Sequence, residues 1–351
     1  MKNLRIGERS IGPDLPVLVV AEVGVNHDGS LERAIKLARV AADCGADAVK
    51  FQVFRAATLV HSSSAMASYQ KERCADSSVA EMLGRYELSF AEMRELVTAI
   101  DEMEMLPLAT PFSPGDVDVV EKLSLPAIKI ASPDLVNRVL LERCMKSYKP
   151  MLVSTGAATM QEVETSVGWL DAGCAEFALL HCVSSYPAPA SQAHLSWIGE
   201  LSRFDVPVGY SDHTSADEPV IGALAVAAGA VLVEKHLTHD RSAPGPDHAA
   251  SADPSQFEEF VRQIRLAEQV RGFGPKCVLK CEDDVRTVSR QSLVIARDVA
   301  PGTPISLEDL TIQRPGTGIS ASEAPRAIGR RATRPIRAGT MLQWDMLSDA
   351  A

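Results

Sequence analysis

Eight short apolar runs, separated by longer amphipathic segments, are the feature that most constrains the fold of this chain. Each run is four to eight residues long and nearly continuous in apolar character, which is typical of a strand buried on both faces. The runs are Val17–Val23, Ala46–Val53, Leu106–Ala109, Ala127–Ala131, Met151–Ser154, Phe177–His181, Val206–Gly209 and Ala230–Glu234. Strands that alternate with helices in this way predict a parallel sheet covered by helices.

The amphipathic segments predict the helices that cover this sheet. Ser30, Ser89 and Thr159 each stand where a helix cap is expected. The predicted helices are Ser30–Cys44, Ser89–Glu104, Gly115–Leu123, Leu135–Tyr148, Thr159–Ala172, Gln192–Arg203, Ala216–Ala228 and Asp253–Arg271. Eight strand–helix units predict an α/β fold of the (β/α)8 or TIM-barrel type. A doubly wound open sheet is the alternative, but no G-x-G-x-x-G sequence follows the first strand.

Beyond about Arg286 the pattern changes to short β-like pieces separated by turns. Ser292–Ile295 and Leu310–Ile312 are such pieces, and Pro301-Gly302 is such a turn. We therefore predict a small, irregular, β-rich domain at the end of the chain. The predicted limits are 1–271 for the TIM-barrel catalytic domain, 272–284 for a linker and 285–351 for the β-rich domain.

Charge, cysteine content and hydropathy narrow the class of protein. The 35 basic and 46 acidic residues give a net charge of −11, which argues against general binding to nucleic acid or to anionic membranes. Seven scattered cysteines do not look like a disulfide framework. Neither a signal peptide nor a membrane-spanning run is evident, so we expect a cytoplasmic protein.

Polar side chains gather where the predicted strands end, and that end of a parallel barrel carries the chemistry. The groups with the clearest chemical use are Glu22, Lys50, Thr110, Lys129, Ser132, Ser154, Ser211, His213 and His236. One lysine in a strand could be an edge residue whose ammonium group reaches water. Polar groups at all eight strand ends favour a functional site instead. Lys50 and Lys129, with the nearby hydroxyls, predict a cradle for a phosphate or carboxylate.

His213 and His236 follow two neighbouring strands and predict a metal site. Two imidazoles, completed by water or substrate oxygens and without thiolate, suit Mn²⁺, Mg²⁺, Co²⁺ or Fe²⁺ better than structural Zn²⁺. We expect Mn²⁺ first, with Mg²⁺ or Co²⁺ as alternatives. The competing interpretation is a hydrogen-bonded pair of core histidines. Glu22, at the first strand end, is the candidate acid or base.

Nine short motifs run in order along almost the whole chain. They are Ala21–Gly29 (AEVGVNHDG), Gly45–Gln52 (GADAVKFQ), Lys129–Ser132 (KIAS), Ser154–Gly156 (STG), Leu180–Pro187 (LHCVSSYP), Gly209–Thr214 (GYSDHT), Glu234–Thr238 (EKHLT), Pro244–His248 (PGPDH) and Arg314–Gly318 (RPGTG). Each is weak alone, but their order and spacing are specific. The chain resembles the sialic acid synthase family, the N-acetylneuraminate synthases and their nonulosonate relatives. Their C-terminal module is an antifreeze-like (SAF, β-clip) domain.

The resemblance implies a condensation of phosphoenolpyruvate with an open-chain aldose of the N-acetylmannosamine type. It also implies that Glu22 is the catalytic carboxylate and that His213 and His236 hold the metal. Phosphoenolpyruvate is expected at the residues matching Lys50, Thr110, Lys129, Ser132, Ser154, Ser184 and Ser211. The acceptor sugar is expected at those matching Gln52, Asp134, Tyr186, Asp247 and Arg314. The resemblance further implies a homodimer in which each tail domain inserts Arg314 into the partner's site.

Two positions and one segment depart from the family pattern. Members often have Asn or Thr where this chain has Ser184, and Glu where it has Asp134. The long segment Phe54–Leu88 is a lid or a partly helical insertion, and it offers no residue that we can match to the acceptor's N-acyl side. The acceptor is therefore open between N-acetylmannosamine and a 2,4-diacetamido-trideoxy hexose.

Three rival functions are weighed against the synthase. A synthase of 3-deoxy-aldulosonate phosphates would not be expected to carry the tail domain, and no extra basic cluster for a sugar phosphate stands out. A non-catalytic carbohydrate- or ice-binding protein would not need Glu22, Lys50 or His236. A metal-dependent hydrolase barrel usually has an H-x-H pair on the first strand, where this chain has Glu22 and a single His27.

Overall fold

Eight parallel strands close on themselves in the larger of two units, Met1–Phe273 and Gly274–Ala351. The computed structural model describes residues 2–349 except 62, 63, 65, 67–72, 74, 75 and 77. The strands are β1 (Leu4–Ile6), β2 (Arg9–Ile11), β3 (Leu18–Glu22), β4 (Ala48–Val53), β5 (Leu106–Pro111), β6 (Ile128–Ile130), β7 (Met151–Ser154), β8 (Phe177–Cys182), β9 (Val208–Asp212), β10 (Leu232–His236), β11 (Ser292–Ile295), β12 (Leu310–Gln313), β13 (Arg331–Ala332) and β14 (Leu347–Ser348). Strands β3 to β10 form the barrel, which β10 closes by pairing with β3. The predicted TIM barrel is confirmed.

Helices follow the barrel strands, as the amphipathic pattern predicts. Within the described residues they are α1 (Leu31–Asp43), α2 (Ala56–Leu59), α3 (Val79–Gly84), α4 (Phe90–Glu102), α5 (Pro114–Lys122), α6 (Arg138–Met145), α7 (Met160–Ala172), α8 (Ser196–Leu201), α9 (Val220–Ala227), α10 (Pro254–Arg271), α11 (Asp283–Ser289) and α12 (Ala324–Ala327). The predicted caps are present: Ser30 caps α1, and Ser89 and Thr159 form capping boxes with Glu92 and Glu162.

Three predicted helices are shorter than the sequence pattern indicates. The one predicted as Ala216–Ala228 is observed as α9, Val220–Ala227. The segment predicted as Leu135–Tyr148 begins with a 3₁₀ turn, Ser132–Val136, and the α-helix starts only at Arg138. The side chain of Asn137 accepts from the backbone N–H of Leu140 (3.2 Å) and so starts a new helix there. The segment predicted as Gln192–Arg203 contains one short helix, α8, between two 3₁₀ turns.

Alternation along each strand separates two apolar layers and positions the site. On β3, Val19 faces the helices, whereas Leu18 and Val20 pack inside the barrel with residues such as Leu108 and Leu152. Glu22 continues the inward series and therefore emerges at the mouth of the barrel. The same period of two places Lys50, Ser154, Glu234 and His236 at this mouth, because each follows an inward-facing residue by two positions or by four.

A small antiparallel hairpin, β1–β2, packs against the interior layer of the barrel and was not predicted. Leu4, Ile6 and Ile11 lie in the same apolar cluster as Leu18 and Val231. Leu18 and Leu232 are the first residues of β3 and β10, whereas the mouth lies where these strands end. The hairpin therefore covers the end of the barrel opposite to the mouth. Its strands have only three residues each, too few for a clear alternating pattern.

The second unit has its own apolar core and two short antiparallel pairs, β11–β12 and β13–β14. Leu293, Ile295, Val299, Ile305 and Leu342 are buried in that core. The chain divides into its two units after Phe273. Helix α11 extends across the predicted limit between the linker and the β-rich domain, at 284 and 285. The three predicted domain ranges stay a prediction. Within the described residues, the helices are too short or too polar to cross a bilayer.

Candidate active site

The mouth of the barrel contains a cavity of about 330 Å³. Most of the residues that we proposed from the sequence line this one cavity. They are Glu22, Lys50, Gln52, Thr110, Lys129, Ser132, Ser154, Tyr186, Ser211, His213, His236 and Asp247. They come from strands far apart in the sequence, and the closed barrel brings their ends together.

Two buried lysines form the cationic part of the cavity. Lys129 Nζ donates to Ser154 Oγ (2.7 Å) on the neighbouring strand β7. Lys50 Nζ lies 3.4 Å from Thr110 Oγ1 and contacts the carboxylate of Glu22. Burial lowers the pKa of Lys50 to about 8, although Glu234 acts in the opposite direction. An anion that enters the cavity would meet two ammonium groups and several hydroxyl donors.

Glu234 lies between the two lysines, and we had assigned it no role. Its Oε1 is 3.6 Å from Lys50 Nζ and 3.8 Å from Lys129 Nζ, and it accepts from Ser211 Oγ (3.0 Å). Burial acts to raise the pKa of Glu234, but the charges of Lys129 and Lys50 outweigh it and lower this pKa to about 2. The signal for it was available, because Glu234 precedes His236 by two positions and so shares its face of β10.

Glu22 is fully buried at the end of β3. Its Oε1 accepts from the backbone N–H of Gly24 (2.7 Å), and its other oxygen contacts Lys50. A Cβ on Gly24 would lie 2.9 Å from both Glu22 and Gln52, so this turn needs glycine to bring the backbone close to the carboxylate. Glu22 is thereby fixed beside the cationic part of the cavity.

The imidazoles of His213 and His236 meet edge to face, with ring centres 5.6 Å apart. His213 Nδ1 is 2.8 Å from the carbonyl oxygen of Val183, so Nδ1 is the donor and Nε2 carries the lone pair. His236 Nδ1 is buried, has no hydrogen-bond partner among the described residues, and lies 3.7 Å from Asp247 Oδ2. Burial lowers the pKa of His213 to about 4 and the pKa of His236 well below its usual range.

Neutral imidazoles are the form that binds a divalent metal, and His213 Nε2 lies 3.3 Å from the hydroxyl oxygen of Ser211. Among the described residues, no group of three or more His, Cys, Asp and Glu side chains is arranged as a metal cage. The two imidazoles alone would hold a metal ion by two ligands and leave its other positions open. The unpaired Nδ1 of His236 supports this fit, because a buried nitrogen without a partner is costly.

The hydroxyl groups of Ser132 and Ser184 both lie close to Gly156. The backbone N–H of Gly156 donates to Ser132 Oγ (3.0 Å), and a Cβ at this position would collide with the hydroxyls of both serines. Ser184 does not line the main cavity; it lines a neighbouring one of about 580 Å³, together with Thr155 and Cys182. Ser184 is therefore at the border of the candidate site.

Asp134 and Arg314 are not part of the observed cavity lining. Asp134 lies on the 3₁₀ turn after β6, where its Oδ1 accepts from Asn137 Nδ2 (2.9 Å) and burial raises its pKa. Arg314 directly follows β12 in the second unit and is exposed. Both assignments came from the family resemblance, and they stay predictions.

One wall of the cavity is apolar and was not predicted. Its residues are Val25, Phe54, Leu59, Met82, Leu83 and Phe112. The rings of Phe54 and Phe112 meet edge to face, with centres 6.1 Å apart. The predicted insertion, Phe54–Leu88, supplies four of these residues. Arg73, from the same insertion, donates to the carbonyl oxygens of Tyr186 (3.2 Å) and Pro246 (3.1 Å). The insertion thus contributes to the site, and its described part is partly helical.

The fold and the cavity define the class of protein as a (β/α)8-barrel enzyme with a cationic pocket, a buried carboxylate and an imidazole pair at its mouth. The NeuB family model matches residues 37–276, and the SAF domain model matches residues 290–348. The chain belongs to the NeuB family, and it is an N-acetylneuraminate synthase-like enzyme with a C-terminal SAF domain. The sequence-based prediction of the family and of the enzyme is confirmed.

Two relatives and one solved structure show how far the similarity extends. The N,N'-diacetyllegionaminic acid synthase of Legionella pneumophila is 38% identical over 346 residues, 97% of each chain. The N-acetylneuraminate-9-phosphate synthase of Mus musculus is 30% identical over 307 residues, 87% of this chain and 85% of its own. The crystal structure of N-acetylneuraminic acid (sialic acid) synthetase from Leptospira borgpetersenii has a TM-score of 0.73 and 32% identity, covering 81% of this chain and 95% of that chain.

Proposed function

We propose that this chain condenses phosphoenolpyruvate with an open-chain aldose of the N-acetylmannosamine type and with water, giving a nonulosonic acid and phosphate. The observation that carries the proposal is the meeting of a two-lysine cradle, Glu22 and the imidazole pair in one cavity. Relatives named as synthases of legionaminic and sialic acids support it.

The phosphate and carboxylate of phosphoenolpyruvate would bind at the cradle. Lys50 and Lys129 supply opposite charge, and hydroxyls on four neighbouring strands and turns supply hydrogen bonds. These hydroxyls are those of Thr110, Ser132, Ser154 and Ser211, with Ser184 at the border. The same lysines would stabilise the phosphate as it leaves, which lowers the barrier because the leaving charge grows along the reaction.

The acceptor sugar would occupy the rest of the cavity. Gln52, Tyr186 and Asp247 line it with groups that can bind hydroxyls and an acetamido group. Burial raises the pKa of Asp247 to about 6. Asp134 and Arg314 complete the proposed acceptor set on the strength of the family resemblance.

His213 and His236 would hold a divalent metal, with Mn²⁺ as the first candidate and Mg²⁺ or Co²⁺ as alternatives. A bound metal supplies Lewis-acid polarisation of a carbonyl oxygen. The protein's own contribution is to keep both imidazoles neutral by burial and to hold His213 in one tautomer through Val183. Open positions around the imidazole pair leave room for substrate oxygens.

The bonds change in a balanced order. C3 of phosphoenolpyruvate forms a bond to the aldehyde carbon, and the aldehyde oxygen becomes a hydroxyl by taking up a proton. Water adds to C2, and Glu22 would accept the proton that this water loses. The C2–O bond to phosphate then breaks as the new C2 hydroxyl loses its proton, which leaves a keto group at C2 and inorganic phosphate at the cradle. The two protons that water loses balance the one taken up by the aldehyde oxygen and the one taken up by phosphate.

Phosphate release, measured with Mn²⁺ and three acceptors in parallel, tests the proposal. The acceptors are N-acetylmannosamine and two 2,4-diacetamido-trideoxy hexoses, and mass spectrometry identifies the nine-carbon acid. With ¹⁸O in the bridging oxygen of phosphoenolpyruvate, we expect the label in the phosphate, since C–O cleavage leaves that oxygen on phosphorus. Glu22→Gln should release none. A folded, metal-loaded protein that releases no phosphate with any acceptor would contradict the proposal.

We further propose a homodimer that exchanges its tail domains and acts in the cytoplasm. The family resemblance supports the dimer, and the seven scattered cysteines, which do not look like a disulfide framework, support the location.

A further inference from the structure

We propose that Asp212 and Lys235 are positioning residues that hold His213 and His236 at the spacing needed to share one metal ion. Neither residue lines the cavity. The inference rests on the proposed function in one respect, namely that the two imidazoles bind a metal.

The pair lies behind the site, between the barrel strands and the outer helices. Lys235 and Asp212 are opposite one another on the adjacent strands β10 and β9. Each is flanked by inward-facing residues, so its own side chain points outward. Lys235 Nζ lies 5.3 Å from the ring centre of Phe260 on α10, and both residues of the pair are 1% exposed.

Four hydrogen bonds close a ring of contacts around the backbone of His213. Lys235 Nζ donates to Asp212 Oδ2 (2.8 Å) and to the carbonyl oxygen of Thr214 (3.0 Å). Asp212 Oδ1 accepts from the backbone N–H of Thr214 (2.9 Å) and from its hydroxyl (2.6 Å). Residues on both sides of His213 are thus bound to the residue that precedes His236 in the chain.

This arrangement connects the two imidazoles through a short and rigid path. The parallel pairing of β9 and β10 ends at Asp212 and Lys235. His213, the next residue along the chain, therefore has no paired residue on β10. The ion pair and Thr214 provide the attachment at the point where the ladder stops. A change in this attachment would move one imidazole relative to the other.

A buried ion pair contributes little net stability, because the cost of removing both charges from water offsets their attraction. Replacing both partners by apolar side chains therefore often preserves a fold, while geometry held by directed hydrogen bonds is lost. This difference separates a positioning role from a structural one, and it makes a test possible.

The test measures Mn²⁺ binding without substrate, from the electron paramagnetic resonance signal of free Mn²⁺. Asp212→Leu with Lys235→Met should keep a cooperative thermal transition and bind Mn²⁺ about tenfold more weakly, a loss of the size found for supporting residues of metal ligands. Thr214→Val, which keeps shape and removes one hydrogen bond, should show a smaller loss. Thr214→Ser should restore the wild-type dissociation constant.

Glu268→Gln is the matched control at the opposite end of the barrel. Glu268 is buried, contacts the backbone N–H of Val17 and pairs with Arg265 (3.1 Å). This variant should lose stability and keep the Mn²⁺ affinity of the wild type. In steady-state assays, the double variant should lower kcat more than it raises KM for phosphoenolpyruvate.

Wild-type Mn²⁺ affinity in the folded double variant would overturn the inference. If the double variant does not fold, the Mn²⁺ affinities of Thr214→Val and Thr214→Ser test the inference instead. Equal Mn²⁺ affinities of these two variants would count against the inference. A wild-type protein that binds no Mn²⁺ would overturn the inference together with the metal assignment. The phosphate-release assay reports separately on whether the synthase function fails.

Discussion

At the scale of single residues, the chemistry of the cavity depends on how two lysines are balanced by two carboxylates. Lys50 contacts Glu22 and lies 3.6 Å from Glu234, which is also 3.8 Å from Lys129. Lys129 additionally donates to Ser154, so its ammonium group is held in one place. Lys50 lies near two carboxylates, those of Glu22 and Glu234, whereas Lys129 lies near only Glu234 and shares it with Lys50. Lys129 is therefore the cation most readily available to an incoming anion.

Replacing Lys129 by Met should therefore raise KM for phosphoenolpyruvate by about tenfold or more, since a charge-assisted hydrogen bond contributes roughly 1.5–3 kcal/mol. The measurement is a steady-state titration of phosphoenolpyruvate at saturating acceptor. Lys149→Met is the control, because Lys149 Nζ donates to the carbonyl oxygen of Leu125 and does not line the cavity. An unchanged KM in the Lys129 variant would show that the cradle lies elsewhere.

His27 provides a pH-dependent contribution to stability outside the lysine cradle. It is 1% exposed, and its Nδ1 accepts from the backbone N–H of Gly29 (3.1 Å). Burial lowers the pKa of His27 to about 4, with Arg33 acting in the same direction and Asp28 and Glu92 opposing it. The folded state thus binds a proton less readily than the unfolded state, whose histidines have a pKa of 6.5.

A group with a lowered folded pKa loses its stabilising effect as the pH falls. The contribution of His27 is complete above about pH 6.5 and decreases until about pH 4, by up to roughly 3 kcal/mol. Urea unfolding at pH 7.5 and pH 4.5 should show a smaller decrease for His27→Gln than for the wild type. Equal decreases would mean that His27 is protonated equally easily in both states.

At the scale of secondary structure, the period of two along the barrel strands explains why so much of the site followed from the sequence. Glu22, Lys50 and His236 lie on strands. Once the apolar residues of a strand face the barrel interior, the alternation also determines which way its polar residues point. Ser184 and Asp134 lie beyond their strands, where the path of a loop depends on tertiary contacts such as those of Gly156 and Asn137.

Element boundaries were less accurate than element types for a similar physical reason. β9 and β10 continue to Asp212 and His236 because neighbouring strands supply hydrogen-bond partners to polar residues there, which hydrophobicity cannot indicate. The apolar wall of the cavity was missed because most of its residues, such as Phe54 and Met82, come from the segment Phe54–Leu88, which has no clear periodicity.

The hairpin β1–β2 should contribute to stability and leave catalysis unchanged, because it covers the end of the barrel opposite to the site. Ile6 is fully buried in the interior cluster, so Ile6→Ala should lower the free energy of unfolding by about 2–5 kcal/mol. Urea unfolding measures the loss, and kcat measured at low temperature should be preserved. Arg5→Ala, on the exposed face of the same strand, should change stability by less than about 0.5 kcal/mol.

At the scale of the whole molecule, the proposal that needs a direct test is the exchange of tail domains. The site in the barrel unit and Arg314 in the second unit lie on separate parts of the chain. If Arg314 acts on the partner's cavity, one subunit can lose its carboxylate and the other its arginine without abolishing activity. If Arg314 acts within its own chain, such a mixture has no intact site.

Mixing Glu22→Gln and Arg314→Ala proteins therefore separates the two arrangements. Each variant alone should be nearly inactive, because every site lacks one required group. After unfolding and refolding an equal mixture, half of the dimers carry both chains, and each has one site with Glu22 from one chain and Arg314 from the other. In these mixed dimers one of the two sites is intact, and the other dimers have no intact site. Exchange therefore predicts about one quarter of wild-type activity. Activity no greater than that of the separate variants, from a mixture shown to contain mixed dimers, would mean that each tail serves its own barrel.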